Sequence, residues 1–516
     1  MVRIILKYFK FSKLSDWSPH PREVSFVLLV NILLLYFIKR KQRIEFLATV
    51  RLGSRHCTGK IAISLSNRNG GLQTNQGMAS PSADRVLDLV KEKLDGLTAT
   101  PSDRFNIFKV PDVLRKLNEK AYEPKMLAIG PYHHGKEELS TFEVHKTRYL
   151  RELLDRTSKP LPDYVMAMRA MEERAKNCYG GSLSLETDKF VLMMLLDGCF
   201  IVEVIRKFAL TRLRGNDPIF ELSWMLPSIA RDMILLENQL PFFVLWELFT
   251  MTKMPNDQDS DKFLLMILRF FNGILPGKGC REDTVRRDNL YPINEIKHLV
   301  HLIHDNWLPS SAGINAFRNN GKNNSDWSFI CSATGIQEAG GQFGMFEVHK
   351  DDSLFDIKFE NGVMKIPSLE ITDATETIFQ NLITFEQCSQ DINPKHVIDY
   401  VELLGCLINS SKDAELLRHR GIIDNFLGED EVIVTLMHKL GDGAVLGKQF
   451  YYWEVFNKVN FHRSRRRNKW MANLRHNYFN TPWAIISVLA AFAILLLTMV
   501  QALFAVLSYF QQEQSN

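Results

Sequence analysis

Apolar positions along most of this chain recur every third or fourth residue, a spacing that predicts helices. In SADRVLDLVKEKLDGL they fall at Val86, Leu87, Leu89, Val90 and Leu94, with Gly96 as the stop. In FNIFKVPDVLRKLN, Pro111 suits a first helical position, and Val113, Leu114 and Leu117 share a face. MLAIGPYHHG is a short apolar run ending in Gly130-Pro131, which predicts a strand or extended segment entering a turn. Ser140 to Glu143 has capping-box spacing ahead of the helix FEVHKTRYLRELLDR. FVLMMLLDGCFIVEVIR, from Phe190, is long and apolar, but it contains Asp197, Gly198 and Glu203 and closes at Arg206. A carboxylate at mid-bilayer costs ~2.5 kcal/mol or more, so the pattern predicts a core helix, not a membrane span. In RDMILLENQLPFFVLWELF, Pro241 should end one helix near Glu237 to Gln239 and start another. The trio Glu237, Asn238 and Gln239 then sits among apolar neighbours and must find partners.

The period changes twice further on. Pro255 to Asp261 and Pro309 to Asp326 are polar and predict surface loops. Between about 343 and 370, Phe355, Ile357 and Phe359 alternate and Asn361-Gly362 marks a turn, which predicts a β-hairpin. Helical spacing returns over Ala374 to Cys388 and Val397 to Leu417, with Gly421 as a stop.

Trp483 to Phe510 has no charge and exceeds the ~20 residues that cross a hydrocarbon layer. Trp483 stands at one end, Tyr509 and Phe510 at the other, where aromatic rings settle among headgroups. Arg463, Arg465, Arg466, Arg467 and Lys469 precede it, with no acid between Glu454 and Trp483. By the positive-inside tendency the body faces the cytosol, and the short tail implies post-translational insertion. At the other end, Val24 to Ile38 is apolar but short and interrupted by Asn31, and Lys39, Arg40, Lys41 and Arg43 follow it. It reads equally as a signal anchor, an interfacial helix or an extension upstream of Met78. Arg51 to Gln76 has the composition of a disordered linker. The expected organisation is an N-terminal extension 1–77, a helical body 78–480, an anchor 481–512 and a tail 513–516.

Composition changes this picture little. The apolar share of 46% and charged share of 24% suit a folded body, and a net charge of +4 does not suggest a nucleic-acid surface. The seven cysteines, Cys57, Cys178, Cys199, Cys280, Cys331, Cys388 and Cys406, show no CxxC spacing. Reduced thiols in a cytosol-facing body fit that pattern better than a disulfide framework or zinc site.

The runs IFKVPDVLRKLNEKAYEPKMLAIGPYHHG, ARDMILLENQLPFFVL, SATGIQEAGGQF, TIFQNLITFEQC, INSSKDAELLRHRGII and YFNTPWAII, in this order, resemble the plant family catalogued as domain of unknown function 247. The resemblance extends from about Phe105 to the anchor. It implies a mainly helical plant protein with a C-terminal membrane helix, and carries no established activity. Some grass members are associated with self-incompatibility, which implies recognition or signalling by analogy.

Candidate chemistry is sparse. His133 and His134 of GPYHHG, with Glu143 and His145 nearby, could in principle ligate or exchange protons, but adjacent histidines on extended backbone point apart. Pro131, His133 and His134 are better read as a structural turn. His298, His301 and His304 recur every third residue without a carboxylate or cysteine at ligand spacing. LGDGAVLGK has the wrong spacing for a phosphate loop, and Gln449 stands where a hydroxyl is needed. No GxSxG, HExxH, Rossmann or kinase motif is present. No catalytic residue, metal or cofactor is therefore assigned, and Glu237, Asn238, Gln239 and Pro241 are taken as structural. The expected function is membrane-anchored recognition or signalling through a protein partner, with lipid met by the C-terminal helix and no nucleic acid. The endoplasmic reticulum and plasma membrane both suit such an anchor. The alternative is an enzyme of an unrecognised class with a pocket near His133, His134 and Glu237. A convergent polar pocket there favours the enzyme; scattered, packed segments favour recognition.

Overall fold

The computed structural model describes residues 86, 89–92, 105–157, 159–253, 260–277, 293–320, 327–346, 353–389, 392–465 and 482–514. The chain divides into two units, Met1–Thr98 and Ala99–Asn516. In the first, residues 86 and 89–92 are helical, with Val86, Leu89 and Val90 exposed. The apolar segment 24–38, the linker, Gly96 and the proposed start at Met78 lie outside the described residues, as do Arg466, Arg467 and Lys469.

The second unit is mainly helical. Among the described residues its helices of eight residues or more are α1 (Glu143–Arg156), α2 (Leu161–Lys176), α3 (Thr187–Ala209), α4 (Met225–Met233), α5 (Phe242–Met251), α6 (Ser260–Asn272), α7 (Leu299–Asn306) and α8 (Ser311–Asn320). They continue as α9 (Thr375–Cys388), α10 (His396–Leu407), α11 (Ser411–His419), α12 (Asp430–Gly441), α13 (Trp453–Ser464) and α14 (Pro482–Gln514). The long apolar run from Phe190 is α3, a core helix as its carboxylates predict. It packs against α1, α2, α5 and α6. At Gly198 a Cβ would lie 2.4 Å from Leu248 Cδ1, so the missing side chain lets α5 approach. A second group, α9, α10, α11 and α12, shares the same continuous core.

Two small sheets complete the body. β1 (Gln342–Met345) pairs in parallel with β3 (Val363–Ile366), which pairs antiparallel with β2 (Lys358–Glu360). The β2–β3 hairpin turns on Asn361 and Gly362, at φ 52° and 82°, the left-handed pair that an Asn-Gly turn requires. β4 (Leu369–Ile371) and β5 (Ile423–Asn425) form a parallel pair that hydrophobic spacing did not reveal. Before β5, Gly421 closes α11: its N–H bonds Arg418 O, and that of Ile422 bonds Leu417 O.

Five local expectations are corrected. The helix after Pro111 is only one turn, Asp112–Arg115, and Val113 and Leu117 are exposed because polar bonds, not an apolar face, dock it. Ser140 is no cap: its Oγ bonds Glu137 O within a 3₁₀ stretch that runs straight into α1. The helix before Pro241 ends at Met233, so Glu237 to Gln239 lie in an irregular connection. The polar stretch Pro309 to Asp326 contains α8, and Val397 to Leu417 breaks into α10 and α11.

α14 stands apart. Over Ile486–Ala505 its mean hydropathy is 2.5 and none of it is buried. Thr498 satisfies its hydroxyl within the helix, on Ile494 O (2.5 Å) and Leu495 O (3.1 Å). Trp483, Tyr509 and Phe510 fall inside this helix, at its two ends.

Candidate functional site

Lys125 to Gly130 is irregular and joins no sheet, and side chains bond its backbone groups where a neighbouring strand would. The Asp232 carboxylate accepts the amides of Lys125, Met126 and Leu127 at 2.8–3.1 Å. Asn238 accepts Ile129 N–H (2.6 Å) and donates to Leu127 O (2.8 Å). Asp197 accepts Gly130 N–H (2.9 Å), and Lys146 donates to Ala128 O (2.7 Å). Gly130 has φ 70°, and a Cβ there would sit 2.5 Å from Gln239 O, so the contact admits only glycine. Pro131 follows at the bend.

The connection after α4 supplies the other half. Glu237 accepts Val110 N–H at 2.6 Å, bonds Arg115, and lies 3.3 Å from His133 Nε2. Gln239 donates to Met233 O (2.7 Å) and Leu235 O (2.8 Å), and Tyr179 O–H donates to the Gln239 carbonyl (3.0 Å). Asn381, from α9, accepts Leu236 N–H (2.8 Å) and donates to Ala121 O (2.9 Å). Pro241 caps α5, whose first amide bonds Lys297 O. Each member of the trio therefore has its partners, as burial demands.

The GPYHHG and ENQLPFF segments thus converge, and His133 meets Glu237. His134 does not join them and is half-buried. Glu237 is 3% and His133 2% exposed, so the junction is a buried polar interior. Burial would push the Glu237 carboxyl up, but His133, Arg115 and the Val110 amide together hold it below the usual range. Glu123 extends the network outward, bonding Arg115 (2.7 Å) and Lys136 (2.5 Å). A carboxylate so occupied is poorly suited to move a proton.

The histidines before and within α7 do not form a metal site, and no group with metal-ligand geometry occurs among the described residues. His298 accepts His301 N–H at 3.3 Å as the helix cap. His301 pairs with Asp305 (3.0 Å). His304 bridges Asp305 (2.8 Å) and Glu386 (2.9 Å), while Glu386 also accepts the first amides of α10. Burial would lower the His304 imidazole, but the two carboxylates raise it to about 9. Burial instead drives His298 and His396 down to about 3.

Sequence reasoning missed Lys146, Asp232, Asn381 and Glu386. Asp232 and Glu386, like Asp197, are carboxylates set in apolar runs, which was the available signal; Lys146 gave none. It also missed a cleft of about 220 Å³ between α8, β2 and the start of α13, lined by Phe317, Asp356, Lys358 and Tyr451.

A family described as plant protein of unknown function matches residues 107–497. A UPF0481 protein of Arabidopsis thaliana is 30% identical over 430 residues, 80% of this chain and 88% of that one. A putative UPF0481 protein of the same plant is 21% identical over 493 residues, covering 78% of this chain and 91% of the relative. No solved structure matches.

Proposed function

The chain belongs to the plant family of unknown function, and from that premise we propose a single-pass membrane protein whose helical body recognises a protein partner. The observation that supports it is α14: twenty residues, Ile486–Ala505, that are strongly apolar and uncovered by the rest of the chain. A core helix of that composition would be buried, since each fully covered large apolar side chain gains roughly 1.5–3 kcal/mol. Lipid supplies the missing cover. The basic residues before α14, with none in the tail, favour a cytosolic body. The described cysteines, Cys178, Cys199, Cys331, Cys388 and Cys406, form no disulfide, which agrees with a reducing compartment.

The non-enzymatic part of the reading is supported by the interior between His133 and Glu237. The enzyme alternative asked for convergence and access; convergence is met, but both side chains are buried and Glu237 is spent on an amide and a guanidinium.

Proximity labelling from the intact chain in plant cells tests the proposal: reproducible cytosolic protein neighbours are the expected result. The exposed sequon Asn409-Ser410-Ser411, like Asn323-Asn324-Ser325 outside the described residues, reports orientation. A glycosidase-sensitive mobility shift, abolished by Asn409→Gln or Asn323→Gln, would reverse the orientation.

A further inference from the structure

We propose that the surface at the C-terminal end of α13, carrying Phe461, Arg463 and Arg465 with Phe329 tied beside it, rests on the anionic headgroups of the membrane that α14 crosses, an inference that depends on the anchored reading of that helix. Phe329 and Phe461 are 59% and 64% exposed, although large aromatic rings are usually covered. They sit on a fixed surface. Asn460 of α13 donates to Ser328 O (2.8 Å) and Ser328 Oγ (3.0 Å), tying residues 328–329 to the end of the helix. Trp327 stacks on Phe450 at 4.2 Å, and Phe329 packs edge-on against Trp327 at 5.2 Å.

Charge completes the face. Arg463 and Arg465 are exposed, and neither forms an ion pair among the described residues. The Arg465 guanidinium lies 5.2 Å from the Phe461 ring centre, so aromatic and cation are presented together. Exposed rings beside unpaired arginines match a membrane interface, where rings enter the acyl boundary and cations meet phosphates.

Chain length selects the occupant. Sixteen residues separate Arg465 from Pro482, so the two positions are no more than roughly 55 Å apart. The end of α13 is thus the part of the body held at the highest effective concentration near lipid. A second copy docking on the same face would oppose Arg463 and Arg465 with their own like charges. Each arginine near an anionic surface contributes roughly a fivefold preference.

The test uses the full chain in nanodiscs of phosphatidylcholine alone or with about one-third phosphatidylserine. Amide exchange over residues 327–331 and 453–464 should be at least about fivefold slower in the anionic discs. That protection should weaken at high salt. The triple variant Phe461→Ser, Arg463→Gln, Arg465→Gln should remove it while leaving the melting midpoint unchanged, because all three side chains are exposed. Equal exchange in both discs by a chain that has inserted would overturn the docking face and spare the anchor. Protection that grows with protein concentration in neutral discs would assign the face to a second copy and also overturn it. A chain that enters neither disc would overturn the anchored reading and this inference together.

Discussion

α3 and α14 are both long and apolar, yet one is wrapped by four helices and the other by none. The difference lies in a few charges and where they are answered. In α3, Asp197 meets Lys146 (2.6 Å), Glu203 takes two bonds from Arg156 (2.6 Å each), and Lys207 reaches Asp217 (2.7 Å). Two of these pairs fix α3 to α1 and the third to the turn at Asp217, so charge helps decide what packs where. α14 carries no charge over its apolar window, and its Thr498 hydroxyl is satisfied within the helix. The apolar helix with partnered charges is packed into protein; the one without charges is left uncovered and is long and apolar enough to cross a membrane.

The largest effect should come from breaking a pair in α3. Asp197→Ala leaves the fully buried Lys146 ammonium with only Glu143 and a carbonyl, and should cost about 3–5 kcal/mol in denaturant unfolding of the solubilised chain. Leu497→Asp in α14 should leave that unfolding unchanged while raising the fraction extracted from membranes by carbonate, since the carboxylate costs about 2.5–3.5 kcal/mol at mid-bilayer. If both changes alter body stability equally, the distinction between the helices fails.

Glu237→Ala should cost roughly 1–3 kcal/mol, because the buried Val110 amide and Arg115 lose their acceptor. An unchanged melting midpoint with loss of partner capture would move Glu237 from structure to function.

The His304 bridge should show in pH dependence. Its folded pKa, about 9, lies above the ordinary 6.5, so its stabilisation is complete below about pH 6.5 and disappears as pH rises through about 9. The imidazole faces Asp305, Glu386 and His396. His304→Gln should therefore flatten the fall in melting temperature across that window; an equally steep fall in the variant would assign the titration elsewhere.

The smallest effect should come from deleting residues 1–77. A chain starting at Met78 should melt as the full chain does, to within about 0.5 kcal/mol, and still reach the membrane. Aggregation of the shortened chain alone would place Val24 to Ile38 on the body.

Long-period features were legible in the sequence. Twenty-eight uncharged residues can only be a core helix or a span, and Asn361-Gly362 admits few turns besides the one found. The His133–Glu237 junction was half legible. The buried polar trio announced that partners existed, but these lie as far as 127 residues away, at Val110, and no local period encodes such a distance. Val113 and Leu117 misled because amphipathic spacing was read as burial where backbone-to-carboxylate bonds set the geometry. α8 was lost to its composition: asparagine, glycine and serine suit loops, yet Ser310 ties its start to Asp356 (3.0 Å).

The side chains that stand in for a strand beside Lys125 to Gly130 also fix a sequence of events during synthesis. The segment leaves the ribosome before any of its acceptors after Lys146 exists. Asp197, Asp232 and Asn238 follow it by 67 to 109 residues, which at typical translation rates is roughly 3–20 s. Asn381, which joins the segment's approach at Ala121 to the connection after α4, comes later still. Throughout that interval Leu127 and Ile129 have neither sheet nor core to enter. Slow codons between Gly130 and Asp232 should lengthen the time for which this stretch lacks those partners.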